Sequence, residues 1–63
     1  MTQAMKFFKE VENKLGNEEK VTPTISKRVF TEDGWTYTFF FYKGELAKVE
    51  GYNHRELIEI YNR

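Results

Sequence analysis

The amino-acid sequence predicts an α+β fold with the element order α-β-β-β-α, a three-stranded antiparallel meander with two helices packed on one face. Three observations predict it. A helix-spaced apolar stripe lies near the start of the chain. Two glycine-bearing turns, Glu32-Asp33-Gly34 and Tyr42-Lys43-Gly44, frame a run rich in aromatic residues and threonine. An Asn53…Glu56 capping pattern precedes an apolar C-terminal segment.

The first helix is expected over residues 3–15. Thr2 suits an N-cap, because its side-chain oxygen can accept an otherwise orphaned N–H of the first turn. Ala4, Phe8, Val11 and Leu15 fall on one stripe, with Met1 and Phe7 flanking it. Lys6–Glu10 and Glu10–Lys14 have the spacing of ion pairs along a wet helix face. Gly16 follows where a left-handed C-cap belongs.

Three strands follow, over residues 21–30, 35–42 and 46–51. Pro23 has no N–H to give, so the first is an edge strand or begins after the proline. The second is almost wholly aromatic and threonine, residue types that fit a pleated, half-buried surface. In both turns glycine stands third, the left-handed position of a three-residue hairpin loop. Such loops would pair Thr31 with Trp35 and Phe41 with Glu45. One face then collects Ile25, Val29, Trp35, Tyr37, Phe39, Phe41, Ala47 and Val49. The other collects Thr24, Ser26, Arg28, Thr36, Thr38, Phe40, Tyr42, Leu46, Lys48 and Glu50. Lys27 falls on the apolar face, where an edge lysine can lay its stem on the core and keep its charge wet. The last helix is expected over residues 54–63, with Asn53 and Glu56 as a capping box and Leu57, Ile58 and Tyr61 as its apolar stripe.

A chain of 63 residues has room for one domain, residues 1–63. At this size folding buries only about 60% of the unfolded chain's surface, so stability is marginal. There is no cysteine to add a disulfide, and a single histidine with no cysteine does not make a metal-ligand set. Aromatic residues make up 17% of the chain, and their area has to carry the core. No apolar run approaches the roughly 20 residues that span a bilayer, and residues 1–9 lack the apolar core of a signal peptide. With the absence of cysteine, this sets the expectation of a cytoplasmic protein that does not act on membranes.

Lys+Arg and Asp+Glu both total 10, and the balance holds along the chain, with no basic or acidic tail. That lowers the expectation of nucleic acid as partner, since such affinity rests on clustered Lys and Arg. His54 pairs with no serine or aspartate at a recognisable spacing and is expected to face solvent. The glycines build no phosphate loop. A non-enzyme without cofactor or metal is therefore expected.

The element order resembles that of the double-stranded-RNA-binding domain across the whole chain, in topology alone. That family carries a glycine–proline–histidine loop between its first two strands and a lysine cluster opening its last helix. Here the loop reads Thr31-Glu32-Asp33-Gly34 and the last helix opens Asn53-His54-Arg55-Glu56. Both contact regions depart from the family pattern, so the resemblance implies the topology without the phosphate contacts. A single-strand platform, with Phe40 and Tyr42 stacking bases beside Arg28 and Lys48, is the alternative nucleic-acid reading.

A protein partner is the first expectation. The open sheet face is expected to hold Phe40, Tyr42 and Leu46 at its centre, with Arg28, Thr38 and Lys48 in a row beside them. An apolar centre with a polar surround is the anatomy of a modest interface. Self-association as a homodimer would bury the same face, and a permanent assembly contact is the third reading. A chain with its own Met1, no site and no tether is expected to regulate or inhibit by occupying a surface; a piece of a longer protein fits the sequence equally.

Overall fold

The computed structural model describes residues 2–63, so the expected packing of Met1 lies outside the described residues. One helix, α1 (Gln3–Val11), precedes five strands: β1 (Glu19–Lys20), β2 (Ile25–Glu32), β3 (Trp35–Tyr42), β4 (Glu45–Tyr52) and β5 (Leu57–Asn62). All neighbouring strands are antiparallel, and they lie in the sheet in chain order. The expected three-stranded meander with two helices is thus corrected to a five-stranded sheet with one short helix. The resemblance in element order to the double-stranded-RNA-binding domain falls with it.

The helix begins as its sequence dictates. The Thr2 hydroxyl oxygen accepts the Met5 N–H at 3.1 Å. Ala4, Val11 and Leu15 are buried, and Phe7 and Phe8 pack against the core. The end differs from expectation. After Val11 the chain tightens into a 3-10 turn (Glu12–Lys14), and Leu15 is already extended. Gly16 supplies no left-handed cap, because its N–H donates to Val29 O at 2.9 Å and draws the chain onto the sheet edge. Lys14 turns from Glu10 to Glu32 and pairs with it at 2.8 Å. That bond to the carboxylate raises the Lys14 pKa above the usual lysine value. The stabilisation is present below the ordinary lysine range and is lost as pH rises through the raised value. Both side chains are half exposed, so solvent screens the pair and its contribution is small.

The C-terminal correction has a local cause. Asn53 Oδ1 accepts the N–H groups of Arg55 and Glu56, at 2.8 and 2.9 Å, as the capping pattern anticipates. Asn53 N–H then donates to Glu56 O at 3.0 Å and closes a turn. Asparagine side chains serve turns by the same bond that serves helix starts. The six residues of β5 are too few for a stable helix alone, whereas pairing with β4 satisfies their backbone groups at once. At the other edge, Thr22 Oγ1 accepts from Thr24 and Ile25 N–H, and the loop holding Pro23 precedes β2. The strand therefore begins after the proline, one of the two arrangements expected.

Register follows from the hairpin turns. Asp33 and Gly34 have φ of 53° and 80°, and Lys43 and Gly44 have φ of 50° and 83°. Two successive positive φ angles define a two-residue type I′ turn, whose twist matches that of the flanking strands. Glu32 consequently pairs with Trp35, and Tyr42 with Glu45, so neither Glu32 nor Tyr42 belongs to a loop. A change of one residue in a loop reverses the faces of the strand beyond it. In β2, Ser26, Arg28 and Phe30 stand opposite Phe41, Phe39 and Tyr37, on the helix side. Ile25, Lys27 and Val29 point to the other face, the reverse of the expected arrangement. In β4, Leu46 stands opposite Phe41 and Val49 opposite Phe39, both on the helix side. Their parity differs because a bulge shifts the register between Phe40 and Phe41 and leaves Ala47 unpaired.

The core is an aromatic clasp between α1 and β3. Phe39 and Val49 are wholly inaccessible. The Phe7 ring lies 5.4 Å from Phe39 and 5.5 Å from Tyr37, and Phe8 lies 5.7 Å from Phe39 and 5.5 Å from Phe41. Phe30 stacks on Tyr37 at 5.0 Å. Gly51 faces Tyr37, and a Cβ there would meet its ring at 3.3 Å, so glycine makes room for the tyrosine. Replacing Phe39 with Ala empties the centre of this cluster and is expected to cost about 3–5 kcal/mol. Urea denaturation followed by circular dichroism measures this. The loss is comparable with the whole stability of a small domain, so the variant is expected to be largely unfolded.

Candidate functional site

The sheet face opposite α1 carries the candidate site, because no other element of the described chain covers it. Cross-strand pairing orders it in rows. Ile25, Tyr42 and Glu45 form one row at the end bearing the Lys43-Gly44 turn. Lys27, Phe40, Lys48 and Asn62 form the next, with Glu19 beyond Lys27. Val29, Thr38, Glu50 and Glu59 form a third, and Thr31, Thr36, Tyr52 and Leu57 a fourth. Phe40 is half buried among its neighbours, while Tyr42, Tyr52 and Leu57 are exposed.

At the Lys43-Gly44 end this face forms an open concavity of about 500 Å3. Its apolar lining is Val21, Ile25, Phe40, Phe41, Tyr42 and Ala47; Lys48, Asn62 and Arg63 supply polar groups. The β1–β2 loop brings Val21 in from one side. The chain after β5 brings Arg63 in from the other, its N–H donating to Ala47 O at 2.8 Å.

Charges of both signs surround the concavity. Lys48 Nζ sits 6.0 Å from the Phe40 ring centre and 3.1 Å from Glu50. Lys43 Nζ sits 5.4 Å from the centre of the Tyr42 ring. Arg63 pairs with Glu45 at 2.9 Å. Lys27 and Lys43 make no ion pair among the described residues. A cation beside an aromatic face is attracted by the ring quadrupole, which holds these flexible side chains close to the rings.

Of the side chains expected at a partner surface, the structure brings Thr38, Phe40, Tyr42 and Lys48 to the open face. Thr38 is almost wholly covered by its neighbours and offers little contact area. Arg28 and Leu46 are corrected to the helix side. Leu46 is a buried core residue, moved there by the two-residue Lys43-Gly44 turn. Arg28 is moved by the Asp33-Gly34 turn. Its Nε donates to Gly16 O at 2.9 Å and its guanidinium reaches Glu12 O, so it holds the chain leaving the helix. Ile25, Lys27 and Val21 take their places at the open face. The Asp-Gly pair is the signal that could have found them, since it is the strongest short-range mark of a two-residue hairpin.

His54 is exposed in the β4–β5 turn. Among the described residues no group of three or more His, Cys, Asp or Glu is placed to hold a metal ion. No described helix is long and apolar enough to cross a membrane. Comparison with protein-family models, curated proteins and solved structures gives no match to any of them.

The two neighbouring cations of β2 therefore have separate tasks. Arg28→Met is expected to lower stability by about 1 kcal/mol, through loss of hydrogen bonds from a charged donor to backbone carbonyls. Lys27→Gln is expected to change it by less than about 0.5 kcal/mol. Denaturant midpoints of the two variants measure the difference.

Proposed function

We propose that this chain is a small non-enzymatic binding protein that regulates or inhibits a protein partner through the open face of its sheet. The observation that carries the reading is the meeting of Ile25, Phe40 and Tyr42 beside Val21, around a concavity on a face that the chain's own helix leaves uncovered. Apolar anchors set in a rim of mixed charge suit a protein surface, where affinity comes from a few buried side chains and the rim excludes water. A second copy of the chain is a partner of the same kind, and a homodimer would bury apolar area that a small core cannot supply. The lack of cysteine fits work in the reducing cytoplasm.

One observation favours a second reading. Phe40 lies between Lys27 and Lys48 across the strands, the interleaving of ring and cation that single-stranded nucleic acid uses. Against it, Lys48 is paired with Glu50, and Glu19 stands opposite Lys27, so the local field is nearly neutral. The protein partner is preferred for that reason.

The test is the double variant Phe40→Ser/Tyr42→Ser, with circular dichroism confirming the fold. Wild-type protein immobilised in an extract of its native host is expected to retain a stoichiometric partner that the folded variant loses. Equal retention by both would exclude the face as the contact surface. An unfolded variant would show instead that the rings belong to the core. Light scattering distinguishes self-association, and a gel shift with single-stranded oligonucleotides at low salt tests the second reading.

A further inference from the structure

We infer that the open face is the interface of a two-fold homodimer, in which Tyr52 and Leu57 of each copy fill the hollow beside Phe40 and Ala47 of the other. The inference rests on the reading of the open face as a protein contact and names a second copy of the chain as its occupant. Shape is the first argument. The face carries a hollow at one end and a pair of large exposed side chains at the other. The hollow lies over the first and second rows, and Ala47, unpaired at the β4 bulge, is the smallest side chain of its lining. The fourth row holds Tyr52 and Leu57 side by side. Leu57, at 61% exposure, is the most exposed large apolar side chain of the described residues. A two-fold axis lying in the face, across the strands and between the second and third rows, reverses the order of the rows. The fourth row of each copy then meets the first row of the other, strand over like strand. The Tyr52 ring comes over Ala47, and Leu57 comes against the aliphatic stem of Arg63. Such a contact is made twice by symmetry, as an isologous interface requires.

Charge is the second argument, and it needs no surplus of either sign. The chain is neutral overall, but the face sorts its charges by row. Lys27 and Lys48 stand in the second row, with Glu19 at its edge, and Glu50 and Glu59 stand in the third. The same axis sets the second row of one copy against the third row of the other, so Lys48 lies over the second copy's Glu50. Lys48 and Glu50 already pair at 3.1 Å within each copy. The two pairs together make a ring of four alternating charges, in which no ion gives up its own partner. A two-fold axis along the strands would instead set Lys48 over the second copy's Lys27. A foreign surface would have to supply the reversed row pattern, whereas a second copy already has it.

Area is the third argument. Four long strands at about 4.8 Å spacing and up to eight residues at about 3.3 Å give a face of about 500 Å2. Two such faces bury about 1,000 Å2, the lower bound for a specific interface. Sheets stacked in this way pack with their strands within about 30° of alignment. The dimer is therefore a weak one, half dissociated at micromolar concentration.

Sedimentation equilibrium of the whole chain tests the dimer. The mass is expected to rise with concentration from 7.6 kDa toward twice that value. Leu57→Ser, with circular dichroism confirming the fold, is expected to weaken association about a hundredfold, because each dimer loses two buried leucines. Lys48→Glu is expected to weaken it about tenfold, and Lys48→Glu/Glu50→Lys to restore it. In an equal mixture of labelled and unlabelled wild-type protein, intermolecular Overhauser contacts are expected between the Tyr52 ring and the Ala47 methyl group. These two are five residues apart on one strand, about 16 Å, too far for a contact within one copy. A mass of one chain at every concentration overturns the inference. So do a dimer unchanged by Leu57→Ser, a dimer tightened by Lys48→Glu, and intermolecular contacts confined to Ile58 and Ile60 on the helix side. Failure here, with partner capture still lost in Phe40→Ser/Tyr42→Ser, removes the second copy and leaves the contact face standing. Capture unaffected by that variant removes the face itself.

Discussion

Two adjacent residues with positive φ at each hairpin tip fix what every side chain of the central sheet can do. Asp33-Gly34 and Lys43-Gly44 close their hairpins in two residues, so the strands pair from the first residue beyond the turn. Side chains alternate strictly along a strand, and this pairing therefore decides which of them meet α1 and which meet solvent. Phe30, Phe39 and Leu46 become core by this constraint, and Lys27, Phe40 and Tyr42 become surface. Glycine enters the left-handed region at no steric cost, whereas Asp33 and Lys43 bear a cost that the strand pairing offsets.

The helix depends on the same registration. Its Phe7 and Phe8 rings spread over Tyr37, Phe39 and Phe41, and Arg28, brought to this side by the first turn, donates to Gly16 O and Glu12 O and so ties the chain leaving the helix to β2. A short helix has little stability of its own, so its tertiary contacts hold it in place. The segment from Leu15 to Lys20 then runs beside β2 and protects that edge. β5 protects the opposite edge of β4, and a bulge between Val49 and Glu50 disturbs its own pairing, a common way of blunting an exposed strand.

Much of this was legible in the sequence where one local interaction decides the outcome. The Thr2 cap, the Ala4–Val11–Leu15 stripe and the inward side of Tyr37, Phe39 and Phe41 are of this kind. The outward side of Phe40 and Tyr42 belongs with them. What escaped depended on competition between equal local signals. Glu32 before Asp33-Gly34 fits either a third loop residue or the last strand residue, and the choice reverses β2. Lys27 on a supposedly apolar face was the available warning, and the true register removes that anomaly. Asn53 and Glu56 offer the same hydrogen bonds to a helix start and to a turn. The decision fell to the open edge of β4, a tertiary feature that six residues cannot announce. The Ala47 bulge, which lets Leu46 and Val49 share a face, left no mark in the sequence.

A contact face follows from this geometry because one helix covers one side of the sheet and leaves the other to its own side chains. The pairing of β2 with β3 is the claim on which that account stands. Interstrand nuclear Overhauser effects from a labelled sample measure it directly. The account predicts contacts between Arg28 and Phe39 and between Val29 and Thr38 across the ladder, with Arg28 also near Gly16. Contacts pairing Val29 with Tyr37 would contradict it, since they would return Arg28 to the open face and turn Lys27 toward the helix.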